Sequence, residues 1–265
     1  MGEKTQTIIL CGGLGTRLKE ETEFRPKPMV PIGGKPILWH IMKIYAKYGH
    51  TDFILPLGYK GEMIKEYFYH YHLMSRDVCI QLGTHHSVSF LSGEPDDTDD
   101  WSITFVDTGE KTLKGGRLKR VEKYLKGDEV MVTYGDGVAD ININSLLDFH
   151  RSHGKTATMT AVSPASQFGE LKIKGDRVVQ FREKPGHMSD HFISGGFYVF
   201  NRSFFLDLPR SDDYDLESDL LENLAAKGEL MAYKHPGKWA CMDTLRDMDY
   251  LNRLWDENKA FWKIW

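Results

Sequence analysis

Three glycines stand just ahead of an arginine in Leu10-Cys11-Gly12-Gly13-Leu14-Gly15-Thr16-Arg17-Leu18. Glycine has no Cβ, so a loop built from several of them lets backbone N–H groups come close to a phosphate or a base. Arg17 adds a planar fork of donors suited to gripping phosphate oxygens two at a time. Neither common phosphate-loop pattern is present: G-x-x-x-x-G-K-[ST] is missing, and Gly13-x-Gly15-x-x-Leu18 lacks the third glycine of the dinucleotide fingerprint. A little further on, Arg25-Pro26-Lys27-Pro28 sets a lysine between prolines, whose rings restrict the backbone and could aim the ammonium at a fixed point. Taken alone, Gly12 to Gly15 is equally consistent with a simple tight turn, and Lys27 with a solvated loop residue.

Two acids invite a metal. Asp136 follows the apolar run Glu129-Val130-Met131-Val132-Thr133-Tyr134 within Gly135-Asp136-Gly137. It therefore falls at a strand's carboxyl end, where parallel sheets usually carry their ligands. Asp243, distant in sequence, could share with it a hard cation that prefers oxygen ligands and retains several waters. Helix capping by Asp136 and a solvated turn at Asp243 are the ordinary alternatives. The histidine pairs His70 and His72, His85 and His86, and His150 and His153 come without an evident third ligand, so surface or packing roles fit them better than zinc. The acidic stretch from Gly93 to Asp100 lacks the EF-hand spacing and reads as an exposed loop or hairpin tip.

The elements that must position these groups alternate in type. Apolar runs predict strands around residues 7–11, 53–57, 78–80 and 129–134, with helices around 37–45 and 61–71 between them. Shorter strands follow near 156–162, 171–173, 178–182 and 192–200. This alternation implies a mainly parallel sheet with right-handed crossovers. Leu251, Leu254, Trp255, Phe261, Trp262 and Trp265 form an amphipathic tail, expected to pack on its own domain or, as the lesser alternative, against a second subunit.

At 265 residues and 41% hydrophobic content the chain can bury one large core without staples. A formal charge of -4 gives no broad basic surface, which disfavours nucleic-acid backbone or anionic lipid as partner and favours a small molecule. Cys11, Cys79 and Cys241 are odd in number and widely spaced, the pattern of reduced thiols in a cytosolic protein. No segment approaches the roughly 18 consecutive apolar residues of a membrane span, and no targeting signal is visible.

Taken together, G-G-x-G-T-R-L followed by P-K-P resembles the sugar-phosphate nucleotidyltransferase family. The resemblance runs nearly the whole chain. Gly33-Gly34-Lys35-Pro36-Ile37-Leu38-Trp39-His40-Ile41-Met42, Gly115-Gly116-Arg117-Leu118-Lys119-Arg120, Thr133-Tyr134-Gly135-Asp136-Gly137-Val138-Ala139-Asp140 and Met242-Asp243-Thr244-Leu245-Arg246-Asp247 look like its glucose-1-phosphate cytidylyltransferase branch. The resemblance implies a Rossmann-like α/β fold, with a mixed, mainly parallel sheet flanked by helices and a small β-rich sugar-binding lobe. It implies a single domain over 1–265: a nucleotide-binding half to about 150, a sugar-phosphate half over about 151–245, and a helical tail over about 246–265.

By that resemblance Leu10, Cys11, Gly12, Gly13, Leu14, Gly15, Thr16, Arg17 and Lys27 match the triphosphate site. Thr112, Arg117 and Gly135 match further nucleotide contacts, and Asp136 and Asp243 match Mg²⁺ ligands. Arg17 and Lys27 are the catalytic candidates. In Arg182-Glu183-Lys184-Pro185 the acid matches a group that accepts from sugar hydroxyls and Lys184 one that meets the sugar phosphate; a charged strand end before a proline turn is the plain alternative. Ser194 departs from the branch, which commonly has asparagine there, so a sugar contact could be lost or bridged by water. The implied reaction joins CTP to α-D-glucose 1-phosphate, giving CDP-glucose and diphosphate for surface-polysaccharide synthesis, in a cytoplasmic homo-oligomer. UTP, dTTP or another phosphorylated acceptor would keep the chemistry. A noncatalytic nucleotide-sensing subunit ranks lower, because Arg17, Lys27, Asp136 and Asp243 are all present. A glycosyltransferase would want an Asp-x-Asp-like motif, and Asp136-Gly137-Val138-Ala139-Asp140 does not have that spacing.

Overall fold

The computed structural model describes residues 5–84, 86–91, 101–163, 169–183 and 192–265. Its centre is a seven-stranded sheet in the spatial order Leu230–Lys234, Ala157–Val162, Ile193–Asn201, Glu129–Tyr134, Gln6–Leu10, Asp52–Leu57, Ser102–Asp107. Six strands run one way; Ile193–Asn201 runs against both of its neighbours. The predicted mixed, mainly parallel sheet is thus present.

A parallel strand buried on both faces reads as a continuous apolar run, and Gln6–Leu10 is buried along its whole length. Its side chains divide between two layers. Ile9 packs with helices Ile37–Ala46 and Ile143–His153 on one face. Ile8 and Leu10 pack with Leu118 and Val121 of helix Lys114–Val121 and with Phe205, Leu216 and Leu220 on the other. Local chemistry sets several boundaries. The Asn142 side chain accepts from Ser145 N to cap one helix, and Thr244 and Asp247 form a reciprocal capping box at the start of Leu245–Asp256.

The predicted strand over 129–134 is found with those bounds, and the other predicted strands differ by one residue at one or both ends. The helix expected over 61–71 divides into Gly61–Tyr69 and Tyr71–Ser75, because His70 leaves helical dihedrals at φ -94 and ψ 7. The predicted acidic loop at 93–100 lies outside the described residues. The tail packs on its own domain: Trp262 is fully buried and its Nε1 donates to His40 Nδ1 at 3.3 Å. His40 Nε2 in turn donates to the Ile32 carbonyl at 2.8 Å, and burial pushes this histidine's pKa down to about 4. Among the described residues no helix is long and apolar enough to cross a membrane.

Candidate active site

The central strand Gln6–Leu10 delivers its carboxyl end straight into the glycine loop. Arg117 holds that loop in place. This buried side chain reaches up from helix Lys114–Val121 and makes five hydrogen bonds, all to the protein. Its Nη2 donates to the carbonyls of Gly12 at 2.9 Å and Glu110 at 3.1 Å, and its Nη1 to Leu57 O, Thr108 Oγ1 and Gly109 O. Glycine is required beneath it: a Cβ on Gly12 would stand 2.1 Å from Arg117 Nη1. Gly15 turns the chain at φ +64, a left-handed conformation that side chains resist. The resemblance matched Arg117 to a nucleotide contact; it lines the cavity while Nη1 and Nη2 donate to protein oxygens.

The four charged candidates converge. The Lys27 ammonium lies 2.5 Å from Asp136 Oδ2 and 2.6 Å from Asp243 Oδ1, and Arg17 Nη1 lies 2.7 Å from Asp243 Oδ2. Two local devices bring the distant acids together. Strand Gly137–Ala139 pairs antiparallel with Trp239–Cys241, setting Gly137 opposite Cys241, and Met242 N donates to Asp136 O at 2.9 Å. Asp247, the capping-box acid, accepts from Asp243 N and Thr244 N, which fixes the turn carrying Asp243.

Burial raises the cost of charge on both partners, yet the pairing wins. Burial pulls the Lys27 pKa down, and the charge and hydrogen bonds of Asp136 and Asp243 outweigh it, so the net shift is upward. Burial pushes Asp243 up, and the hydrogen bond and charge of Lys27, with Arg17 beside it, bring it below the usual carboxylate range. Cys241 stands with the two acids in a group whose ligand atoms all lie within 4.8 Å of one another. Burial, and then the charges of Asp136 and Asp243, push its thiol up, so it remains protonated. The donor set fits a hard divalent ion on carboxylate oxygens: a cation, the Lys27 ammonium, already bridges those oxygens.

Beside the cluster opens a cavity of about 640 Å³. Every residue predicted for the nucleotide lines it: Leu10 through Arg17, Lys27, Thr112, Arg117 and Gly135, with Asp136 at the edge. Sequence reasoning missed Lys114, Tyr134, Asp215 and Glu217 on the same wall. Lys114 Nζ pairs with Glu217 Oε2 at 2.7 Å, and Tyr134 Oη donates to Glu217 Oε1 at 2.5 Å. Tyr134, directly before Gly135, carried a positional signal. Asp215 and Glu217 carried none.

The sugar-side candidates are less gathered. Glu183 is exposed at the end of the two-stranded ladder Glu170–Lys174 and Arg177–Arg182, the small β lobe. Lys184 lies outside the described residues. Ser194 does not line the nucleotide cavity. It is the second residue of the antiparallel strand Ile193–Asn201, three residues before Phe197, which pairs with Thr133. Its Oγ lies 2.7 Å from Tyr198 Oη. His150 is buried between Thr158 Oγ1 and Asn201 Oδ1, and His153 Nε2 meets the same Thr158 hydroxyl; His70, His72 and His86 are exposed, and His85 lies outside the described residues. Among the described residues no metal-type cluster contains a histidine.

Known proteins share both sequence and fold. The chain is 51% identical over 262 residues to glucose-1-phosphate cytidylyltransferase of Salmonella typhimurium, covering 98% of this chain and 99% of that one. It is 43% identical to a probable glucose-1-phosphate cytidylyltransferase of Bacillus subtilis over 98% of this chain and 100% of the relative. The crystal structure of HddC from Yersinia pseudotuberculosis superposes with a TM-score of 0.68 at 24% identity, covering 95% and 99% of the two chains, which speaks for the fold alone. The model of the nucleotidyl transferase family matches residues 6–258, and with that span and those relatives the chain belongs to this family.

Proposed function

We propose that the protein is a glucose-1-phosphate cytidylyltransferase, which joins CTP to α-D-glucose 1-phosphate and releases diphosphate. The observation that carries this reading is the meeting of Arg17, Lys27, Asp136 and Asp243 at the rim of the cavity lined by the glycine loop. The full-length identity to cytidylyltransferases supplies the substrate pair.

The chemistry follows from charge. A sugar phosphate oxygen must attack the α-phosphorus of another polyanion, so the site must neutralise like charges and align nucleophile with leaving group. Backbone N–H groups of the Gly12–Gly15 loop cradle the triphosphate. Arg17 and Lys27 supply positive charge that strengthens against the crowded transition state. Asp136 and Asp243 would hold Mg²⁺, which when bound supplies further neutralisation of phosphate oxygens. No side chain needs to act as general base, because the attacking phosphate is already largely ionised at neutral pH, its second pKa being about 6. Transfer is therefore a direct in-line displacement without a covalent enzyme intermediate.

One domain spans the chain in this reading, with nucleotide recognition in the half to about residue 150 and acceptor recognition by Glu183, Lys184 and Ser194. The unpaired thiols Cys11, Cys79 and Cys241 fit a cytoplasmic setting. The exposed Ile80, Leu82, Phe90 and Leu91 of hairpin Val78–Gln81 and Ser87–Phe90 fit assembly with further copies of the chain. A diphosphate-release assay with CTP, UTP, dTTP and GTP against several sugar 1-phosphates tests the substrate pair. CTP with glucose 1-phosphate should give the highest kcat/KM; background turnover with that pair overturns it.

A further inference from the structure

A chain of hydroxyl groups runs from Ser194 to Glu217 on the wall of the cavity lined by the glycine loop. Ser194 Oγ lies 2.7 Å from Tyr198 Oη, Tyr198 Oη lies 2.9 Å from Tyr134 Oη, and Tyr134 Oη lies 2.5 Å from Glu217 Oε1. Glu217 is anchored at the far end by Lys114, at 2.7 Å. Tyr198 is fully buried, and Tyr134 forms part of the nucleotide cavity wall.

The direction of every proton in this chain is determined by its end. A carboxylate only accepts, so Tyr134 spends its single hydrogen on Glu217. Toward Tyr198 it must then accept, and Tyr198 must donate. Having given its own hydrogen, Tyr198 accepts from Ser194. Chains polarised in this way reinforce each link. Burial pushes both phenols above their ordinary pKa, so the arrangement persists through the neutral range. The Ser194 hydrogen is thus committed inward, while among the described residues its oxygen accepts one further weak contact, from Gly196 N at 3.4 Å.

We propose that the Ser194–Tyr198–Tyr134–Glu217 chain fixes Ser194 as a hydrogen-bond acceptor, and not a donor, toward one hydroxyl of the acceptor sugar. This rests on the sugar 1-phosphate reading above. An asparagine amide at this position would offer both donor and acceptor; the serine offers an acceptor alone. The consequence is selective. A sugar hydroxyl can donate to Ser194, whereas a fluorine at the same carbon, which only accepts, finds a lone pair facing it. Tyr198 and Glu217 are positioning residues in this scheme, since they act through the serine.

The test measures kcat/KM with CTP for glucose 1-phosphate and its monofluoro analogues at C2, C3, C4 and C6. At one carbon the unsubstituted enzyme should disfavour fluorine by about tenfold, the size expected for loss of one good neutral hydrogen bond. Ser194→Ala should erase that discrimination. Tyr198→Phe frees the serine hydrogen to turn outward and should reduce it to about twofold. Glu217→Gln, whose amide can donate back into the chain, should relax it in the same direction and serves if the phenylalanine variant fails to fold. An unchanged fluorine ratio at every carbon in the folded positioning variants overturns the proposal while leaving the reaction assignment standing, as does a discrimination that survives Ser194→Ala. Background turnover of glucose 1-phosphate by the unsubstituted enzyme overturns both.

Discussion

The glycine-loop wall and the small β lobe are built on opposite principles. The glycine loop sits at the end of a fully buried central strand and is tied by Arg117 to the carbonyls of Gly12, Leu57, Gly109 and Glu110. Among the described residues the hairpin Glu170–Lys174 and Arg177–Arg182 pairs only with itself. Its Leu171, Ile173 and Phe181 stand 54%, 58% and 60% exposed. A polyanion gains most from donors that need no rearrangement when charge develops, so its site repays rigid construction.

Amide hydrogen exchange offers the largest contrast. Amides of Val130 to Thr133, in the buried centre, should exchange only through near-global opening, whereas those of Val178 to Phe181 should exchange through local opening. The protection ratio is expected to be on the order of a thousandfold or more. Equal protection would break the comparison. Lys27→Ala comes next, lowering kcat by about a hundredfold or more through the loss of one preorganised charge. Near-normal turnover in a folded variant removes Lys27 from the mechanism. Gly12→Ala forces the Arg117 guanidinium aside, because the new methyl would overlap it. Stability should fall by about 1–3 kcal/mol in denaturant titrations, and the KM for CTP should rise by about tenfold as the loop loses its tie. Phe181→Ser should do least, shifting global stability by no more than about 0.5 kcal/mol, since its ring is mainly exposed. A larger drop in melting temperature would show that the lobe shares the stability of the core.

The same division governs what could be read from residues alone. The strands around 7–11 and 129–134 were legible because burial on both faces demands unbroken apolar runs. The glycine loop, Lys27 and the two aspartates were legible as types of chemistry, and their family pattern supplied the pairing. What stayed hidden is long-range and made of backbone. Nothing in Trp239-Ala240-Cys241 announces that it pairs with Gly137–Ala139, yet this ladder is what draws Asp243 to Asp136. Arg117 was matched to a nucleotide contact by family resemblance alone; the fold adds that five protein oxygens surround it where it lines the cavity. Glu217 was invisible for a different reason. Its importance lies in which hydroxyl it faces, and no spacing rule encodes a partner some eighty positions away.

The lodging of Trp262 against His40 also has a consequence in time. These partners are separated by 222 positions, an interval of roughly ten to forty seconds at typical rates of chain synthesis. Until the tryptophan arrives, the aromatic cluster under helix Ile37–Ala46 is incomplete, and His40 lacks the donor to its Nδ1 and part of the cover that keeps it neutral. The nascent glycine loop can therefore exist well before the layer beneath it is sealed. Closing that layer waits for a residue 222 positions beyond the histidine it covers.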